Sequence, residues 1–97
     1  MWPDSEETRE LLTAAHQGDE GAVEGLMGRH REALRRMVHL RMDRGVGRRV
    51  DASDIVQDVL LEASQRLRDY LEKPVMPFHL WLRKLAKDRM VDMIRRH

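Results

Sequence analysis

Apolar and polar positions along this chain recur with the period of an α-helix, and they divide it into four segments. The spacing predicts a first helix over about residues 5–17 and a second from about residue 19 to residue 43. A third reaches about residue 72, and a fourth runs from about residue 77 to the C-terminus. β-Branched residues are scarce, which leaves little signal for strands. We therefore predict an all-α fold, a compact bundle of about four helices in a single domain over residues 1–97.

Residue types that begin or end helices separate these segments. In chain order they are an N-cap at Asp4 with Glu7 as its capping-box partner, a break at Gly18-Asp19, a Gly-rich loop at 45–47, an N-cap at Asp51 or Ser53, and a turn at 73–77 whose Pro77 suits the first turn of the last helix. These capping and helix-breaking residues fall between the periodic segments, so the two kinds of sequence signal agree on the helix boundaries.

The third predicted helix has the clearest division into two faces. Its apolar face consists of Ala52, Ile55, Val56, Val59, Leu60, Ala63, Leu67, Tyr70 and Leu71. The opposite face carries Asp51, Asp54, Asp58, Glu62, Gln65 and Asp69, with Gln57 at its edge. A row of acids is usually a solvated surface. Over residues 51–72, however, only Arg66 and Arg68 balance six acids, which points away from a purely solvated face.

The fourth predicted helix combines an apolar face with a basic one. Phe78, Trp81, Leu82, Leu85, Ala86 and Met93 share the first, whereas Arg83, Lys84, Lys87 and Arg95 share the second. Basic side chains neutralise phosphates, and aromatic side chains beside them can stack on bases. The same aromatic spacing is typical of a helix core, and for Trp81 packing in the core is the favoured interpretation.

Charge is strongly partitioned along a chain whose net charge is only +1. Residues 1–28 hold seven acids and one Arg, a net charge of −6, and residues 29–50 hold eight Arg and two acids, a net charge of +6. The net charges of residues 51–72 and 73–97 are −4 and +5. Such blocks indicate charged surfaces for two partners or mutual compensation within a bundle.

Several classes of function find no support in the sequence. Cysteine is absent, which removes disulfides and thiolate chemistry and is compatible with a cytoplasmic location. No apolar run approaches the roughly 20 residues of a membrane span. The five His have no metal-ligand spacing, and no nucleophile motif surrounds the Ser residues. We expect no metal, no cofactor and no enzymatic activity.

Three motifs in order resemble region 2 of the sigma-70 family, bacterial transcription initiation factors, in its extracytoplasmic-function (ECF) branch. The first is Asp54-Ile-Val-Gln-Asp58-Val-Leu-Leu-Glu-Ala, the second is Phe78-x-x-Trp81-Leu-x-x-Leu85-Ala86, and the third is Asp92-x-x-Arg95-Arg96. Upstream, the helix break at Gly18-Asp19 is similar to the start of that family's domain. The resemblance covers nearly the whole chain, and the ordered set carries it.

The resemblance implies a role for each surface. In the family, the acidic helix docks on the clamp helices of the RNA polymerase β′ subunit, and the matching positions are Asp54, Gln57 and Asp58, with Asp51 beside them. The following loop and helix recognise and melt the promoter −10 element, capturing its single-stranded non-template strand. The matching DNA-binding candidates are Trp81, Arg83, Lys84, Lys87, Arg89, Arg95 and Arg96. An anti-sigma factor is a further partner that the resemblance implies.

This chain departs from the family pattern in three respects. Asp88 stands where the family often has Asn, so its carboxylate either points away from DNA or accepts from a cytosine amino group. The Pro-rich loop 72–77 gives no basis for transferring the family's promoter preference. The chain also carries no helix-turn-helix domain for the −35 element after region 2, so it is either an excised domain or a member that lacks that domain.

The Arg-rich segment 29–49 is not explained by the motifs. Arg35 and Arg36 can pair with acids of the first helix, whereas Arg44, Arg48 and Arg49 surround the Gly-rich loop and can meet DNA backbone or polymerase. A second hypothesis for the whole chain is a helical interaction module or sigma-like regulator, which binds a protein partner without reading DNA. Salt-dependent binding of single-stranded DNA by the fourth helix separates the two hypotheses.

Overall fold

In the computed structural model, which describes residues 6–42 and 51–96, four α-helices follow one another along the chain. Helix α1 spans Glu6–His16, α2 spans Glu20–Met42, α3 spans Ala52–Glu72 and α4 spans Phe78–Arg96. No strand occurs in these ranges, and the prediction of an all-α fold is confirmed. The proposed Asp4 cap and the Gly-rich loop with its three Arg lie outside the described residues. None of the helices in these ranges is long and apolar enough to cross a membrane.

The turn between α1 and α2 has a clear local cause. Gly18 has a φ of 98°, in the left-handed region where a residue with a Cβ is strained. Asp19 then caps α2, because its Oδ1 accepts a hydrogen bond from the N–H of Ala22 at 3.2 Å. The turn folds α1 back on α2 so closely that a Cβ on Gly25 would lie 3.3 Å from Leu11 Cδ2.

The hydrophobic core lies where α2, α3 and α4 meet. Helix α2 packs against α1 and α3, and α4 packs against α3 with a smaller contact to α2. The predicted apolar face of α3 is buried throughout, apart from Leu71, which is partly exposed. The largest fully buried side chains are Leu26, Leu34, Ile55, Leu82, His30, Val38 and Val59. This core fixes which faces of α3 and α4 remain on the surface.

Two positions on α2 depart from the usual rule that apolar side chains are buried and polar side chains exposed. His30 is fully buried, and its Nδ1 donates a hydrogen bond to the carbonyl oxygen of Leu26 at 2.9 Å, since a carbonyl can only accept. Its ring meets the Phe78 ring edge-on, with centroids 5.0 Å apart. Leu40, by contrast, is 67% exposed. The bundle therefore accommodates an imidazole in its centre and leaves a large apolar side chain outside.

The basic residues of α2 form ion pairs that differ from those predicted. Arg35 and Arg36 do not reach the first helix; they pair with Glu32, one turn away on α2 itself, at 2.7 and 3.6 Å. The hydrogen bond from Arg35 lowers the pKa of Glu32. The residue that pairs with α1 is Arg29, whose guanidinium contacts Glu7. The prediction for Arg35 and Arg36 was wrong because they point into solvent, away from α1.

Candidate functional site

Helix α3 begins with a capped acidic turn. Asp51 is the N-cap: its backbone is extended, with φ −83° and ψ 125°, and its side chain accepts a hydrogen bond from the N–H of Ser53 at 2.9 Å. Of the two caps considered from the sequence, the structure thus selects Asp51. Asp54 lies in the first turn, where the partial positive charge of the helix N-terminus stabilises a carboxylate.

The candidate polymerase-binding residues share one exposed side of α3. Asp54, Gln57 and Asp58 are all exposed and lie within about one turn of one another. The next residue on this side is Leu61, which is 57% exposed. The sequence analysis gave Leu61 no role, because this residue lies outside the apolar face of α3 and carries no charge that would assign it to the acidic one. The surface is therefore acidic at its start and apolar one turn later. We call Asp54, Gln57 and Asp58 the acidic row.

One ion pair joins the acidic row to α4. Arg89 Nη2 lies 3.1 Å from Asp58 Oδ2, and the two side chains are 40% and 52% exposed. The sequence placed these residues in different sites, Asp58 on the polymerase side and Arg89 on the DNA side. On α4, Arg89 lies next to the buried positions Leu85, Ala86 and Met90, so it is at the border of the core face and its side chain reaches α3. The two candidate surfaces consequently meet at the seam between α3 and α4.

We predict a small coupling energy between Asp58 and Arg89. Both side chains are half exposed, and ion pairs of that kind contribute about 0.2–1 kcal/mol. Urea denaturation of Asp58→Asn, Arg89→Gln and the double variant gives this term as the departure from additivity. Additive effects would show that the pair does not form in solution. A coupling of 0.2–1 kcal/mol would show that it forms and that a partner can displace it at little cost.

The basic face of α4 is the second exposed surface. Lys84, Lys87 and Arg95 are exposed on it, whereas Arg83 is half-buried. Lys84 Nζ lies 3.2 Å from Asp88 Oδ2, one turn along the helix. The carboxylate of Asp88 thus has a cation beside it on this same surface. The backbone of Arg96 belongs to α4, but its side chain lies outside the described atoms.

An aromatic cluster holds the first turn of α4. The Trp81 ring stacks on the Tyr70 ring with centroids 4.7 Å apart and an interplanar angle of 28°, and Phe78 contacts both rings at 5.7 Å. Phe78 and Tyr70 are buried, but Trp81 is only partly so. The interpretation of Trp81 as a packing residue agrees with this stack.

Hydrogen bonds at both ends hold the loop between α3 and α4. The Tyr70 hydroxyl donates a hydrogen bond to the carbonyl oxygen of Met76 at 2.6 Å. The phenol is protonated at neutral pH and therefore donates, and burial raises the pKa of Tyr70 further. At the other end of the loop, the carbonyl of Pro77 accepts from the N–H groups of Leu80 and Trp81, both at 3.1 Å. Pro77 thus stands at the N-cap of α4, directly before Phe78, where its carbonyl accepts the first helical hydrogen bonds.

The comparison with known protein families gives one result. The family model described as sigma-70 region 2 matches residues 26–97, which include most of α2 and all of α3 and α4. Every candidate contact residue named above lies inside that match. No curated protein and no solved structure matches the chain.

Proposed function

This chain belongs to the sigma-70 region 2 family, and from that premise we propose that it is the region 2 module of an ECF-type sigma factor. Members of the family bind core RNA polymerase, recognise the promoter −10 element and have no enzymatic role of their own. In this chain, α3 binds the clamp helices of the β′ subunit. Helix α4 and the loop before it capture and help to melt the −10 element.

The observation that carries this proposal is the pair of exposed surfaces on adjacent helices. The acidic row on α3 and the basic face of α4 both lie inside the matched segment, and both face solvent. A protein that holds polymerase and DNA together needs one surface for each. Opposite charges on the two surfaces suit partners of different kinds, a basic protein and a polyanion.

The acidic row supplies the groups that an Arg-rich protein helix recognises. Carboxylates of Asp54 and Asp58 can accept charge-assisted hydrogen bonds from guanidinium groups, and the Gln57 amide can both donate and accept. Asp51 lies beside them; one of its carboxylate oxygens accepts from Ser53, and the other can still accept from a partner. The weak pair with Arg89 holds Asp58 in place without blocking it.

The DNA-binding surface combines the loop 73–77 with the basic face of α4. Removing a base of the −10 element from the duplex costs a few kcal/mol of stacking and pairing free energy. Contacts in a pocket beside the loop must offset this cost. The exposed cations Lys84, Lys87 and Arg95 can neutralise phosphates of the captured strand. Such contacts fix where the strand lies but do not discriminate between base sequences. Arg83, Arg96 and Trp81 remain candidates at the edges of this surface.

The test of the polymerase contact is a titration of the wild-type chain with a soluble fragment that contains the β′ clamp helices. Isothermal titration calorimetry at two salt concentrations is expected to show saturable binding that weakens at higher salt, because opposite charges are screened. A wild-type chain that gives no heat and no salt-dependent binding would refute the proposed β′ contact.

A second prediction concerns DNA. Replacing Lys84 and Lys87 with Ala is expected to weaken binding of a fluorescent single-stranded oligonucleotide at every sequence. The slope of log Kd against log salt should fall by about 1.4, since each phosphate contact on a single strand contributes about 0.7. Anisotropy titrations at several salt concentrations measure this slope. The double variant Arg9→Ala, Arg36→Ala removes the same charge from α1 and α2 and should leave the slope unchanged.

The alternative, a module that binds protein but not DNA, has one observation in its favour. Two cations of α4 already have acidic partners, Lys84 with Asp88 and Arg89 with Asp58. If such pairs persisted, the positive potential available to phosphates would be small. A salt slope that is the same for the wild type and for the Lys84→Ala, Lys87→Ala variant would favour this alternative.

A further inference from the structure

A continuous trough runs between α2 and α3 beside the acidic row. One depression, of about 450 Å³, includes Val23, Met27 and Leu61 in its lining, and the next, of about 330 Å³, includes Ser53 and Val56. Arg31, Gln57 and Leu60 line both depressions, which makes them one feature. Leu61, at 57% exposure, forms its outer edge. The sequence motifs assign no role to this trough.

From this trough we infer that the partner surface of α3 has an apolar centre at Leu61 and a basic edge at Arg31, in addition to the acidic row. Its occupant is one helix of the β′ clamp pair, with an apolar side chain in the trough, basic side chains toward Asp54 and Asp58, and an acidic side chain toward Arg31. This inference rests on the proposed function and names new contacts within it.

The apolar centre follows from position and exposure. Strong protein interfaces place apolar anchors in a central pocket and surround them with polar groups that exclude water. Leu61 lies one turn after Gln57 on the same exposed side, so a helix lying along the acidic row must also cover Leu61. Val23 and Met27 extend the apolar surface from α2 across the trough. The acidic row alone lacks such an anchor.

The basic edge follows from how the Arg residues of α2 are distributed. Arg35 and Arg36 are both engaged by Glu32, which neutralises part of their charge. Arg31 lines the trough, faces solvent and forms no ion pair with the residues that the structure describes. Its guanidinium is therefore available to a carboxylate of a partner. The charged residues of α2 in the trough lining are thus Glu24, Arg31 and Arg35, opposite the acidic row of α3, and this pattern fixes the direction in which the partner helix lies.

Leu61→Asp separates the apolar contribution from the electrostatic one. The change adds an acid beside the acidic row, which would strengthen an interface held only by attraction to a basic partner. We expect it instead to weaken binding to the β′ clamp-helix fragment by about tenfold or more, the loss typical of a central anchor. Leu40→Asp is the matched control, because Leu40 is an equally exposed Leu away from the trough. Circular dichroism verifies that both variants fold.

Arg31→Glu tests the basic edge in the same titration. We expect a loss of about tenfold, whereas Arg9→Glu on α1, with the identical change in net charge, should bind like the wild type. Wild-type affinity for both Leu61→Asp and Arg31→Glu would overturn the inference and leave the acidic row as the contact. A wild-type chain that does not bind the fragment would overturn the β′ contact and the inference with it.

Discussion

Simultaneous replacement of Asp54, Gln57 and Asp58 with Ala is expected to remove measurable binding to the β′ clamp-helix fragment. Hydrogen bonds to charged groups contribute about 1.5–3 kcal/mol each, so the loss of three such partners should weaken binding by well over about a hundredfold. The fold should persist, because all three side chains are exposed and surface substitutions usually cost no more than about 0.5 kcal/mol. Calorimetric titration measures the first effect and urea denaturation the second.

A control for this variant exists on α1 and in the turn that follows it. Glu6, Glu10 and Gln17 are exposed and have the same chemical composition as the acidic row, two acids and one Gln. Their replacement with Ala should leave binding unchanged, which separates a local contact from a general effect of charge. If the α3 variant instead unfolds, the acidic row stabilises the bundle and the binding role assigned to it is lost. Full binding by a folded α3 variant would equally contradict the assignment.

Phe78→Ala is expected to have the largest effect on stability, about 3–5 kcal/mol. The side chain is 3% exposed and its ring contacts His30, Tyr70 and Trp81 in one cluster. Removal of the ring leaves a cavity at the point where α2, α3 and α4 meet. Domains of this size are stable by about 5–15 kcal/mol, so the variant should be marginal or largely unfolded at room temperature.

Urea denaturation followed by circular dichroism measures this effect. Leu80→Ala is a suitable comparison, since Leu80 lies two residues further along α4 and is 40% exposed. Its loss should cost about 1 kcal/mol, because the free energy follows the apolar area that is removed from water and Leu80 is only partly buried. A Phe78→Ala variant that loses less than Leu80→Ala would show that the aromatic cluster does not hold the start of α4.

The cluster also connects stability to the proposed function. Tyr70 stacks on Trp81 and holds Met76 through its hydroxyl, so the loop before α4 is attached to the same group of rings. A loop that must capture an unstacked base benefits from being held in one conformation before DNA arrives. Damage to the cluster should therefore affect DNA capture before it affects the acidic row on α3.

Most of the fold was predictable because helical periodicity is a strong local signal. The apolar face of α3 repeats over its whole length, so its burial and the exposure of Asp54 and Asp58 follow from spacing alone. The helix break at Gly18-Asp19 was equally accessible, since glycine tolerates the left-handed backbone that the turn requires. These features depend on neighbours in sequence.

The remaining features depend on which helices lie side by side, and sequence spacing does not contain that information. The sequence shows that Arg29, Arg35 and Arg36 are basic residues of one helix. It does not show that Arg29 is the one that pairs with α1, whereas Arg35 pairs within α2. The Asp58–Arg89 pair joins residues of two candidate surfaces that were assigned to different partners. Helical spacing placed Leu60 on the apolar face of α3 and Leu61 outside it, but only the packing of α2 on α3 shows that Leu61 lies beside an apolar trough.

The most direct test of the central claim is whether this chain gives core RNA polymerase a preference for particular single-stranded DNA sequences. Core polymerase, with and without the chain, would be incubated with single-stranded oligonucleotides randomised over the length of a −10 element, and the bound strands sequenced. We expect a defined subset of sequences to be enriched only when the chain is present, and the Lys84→Ala, Lys87→Ala variant to recover fewer strands of the same subset. Identical strands recovered with and without a chain that demonstrably binds polymerase would contradict the claim and identify it as a protein-binding module.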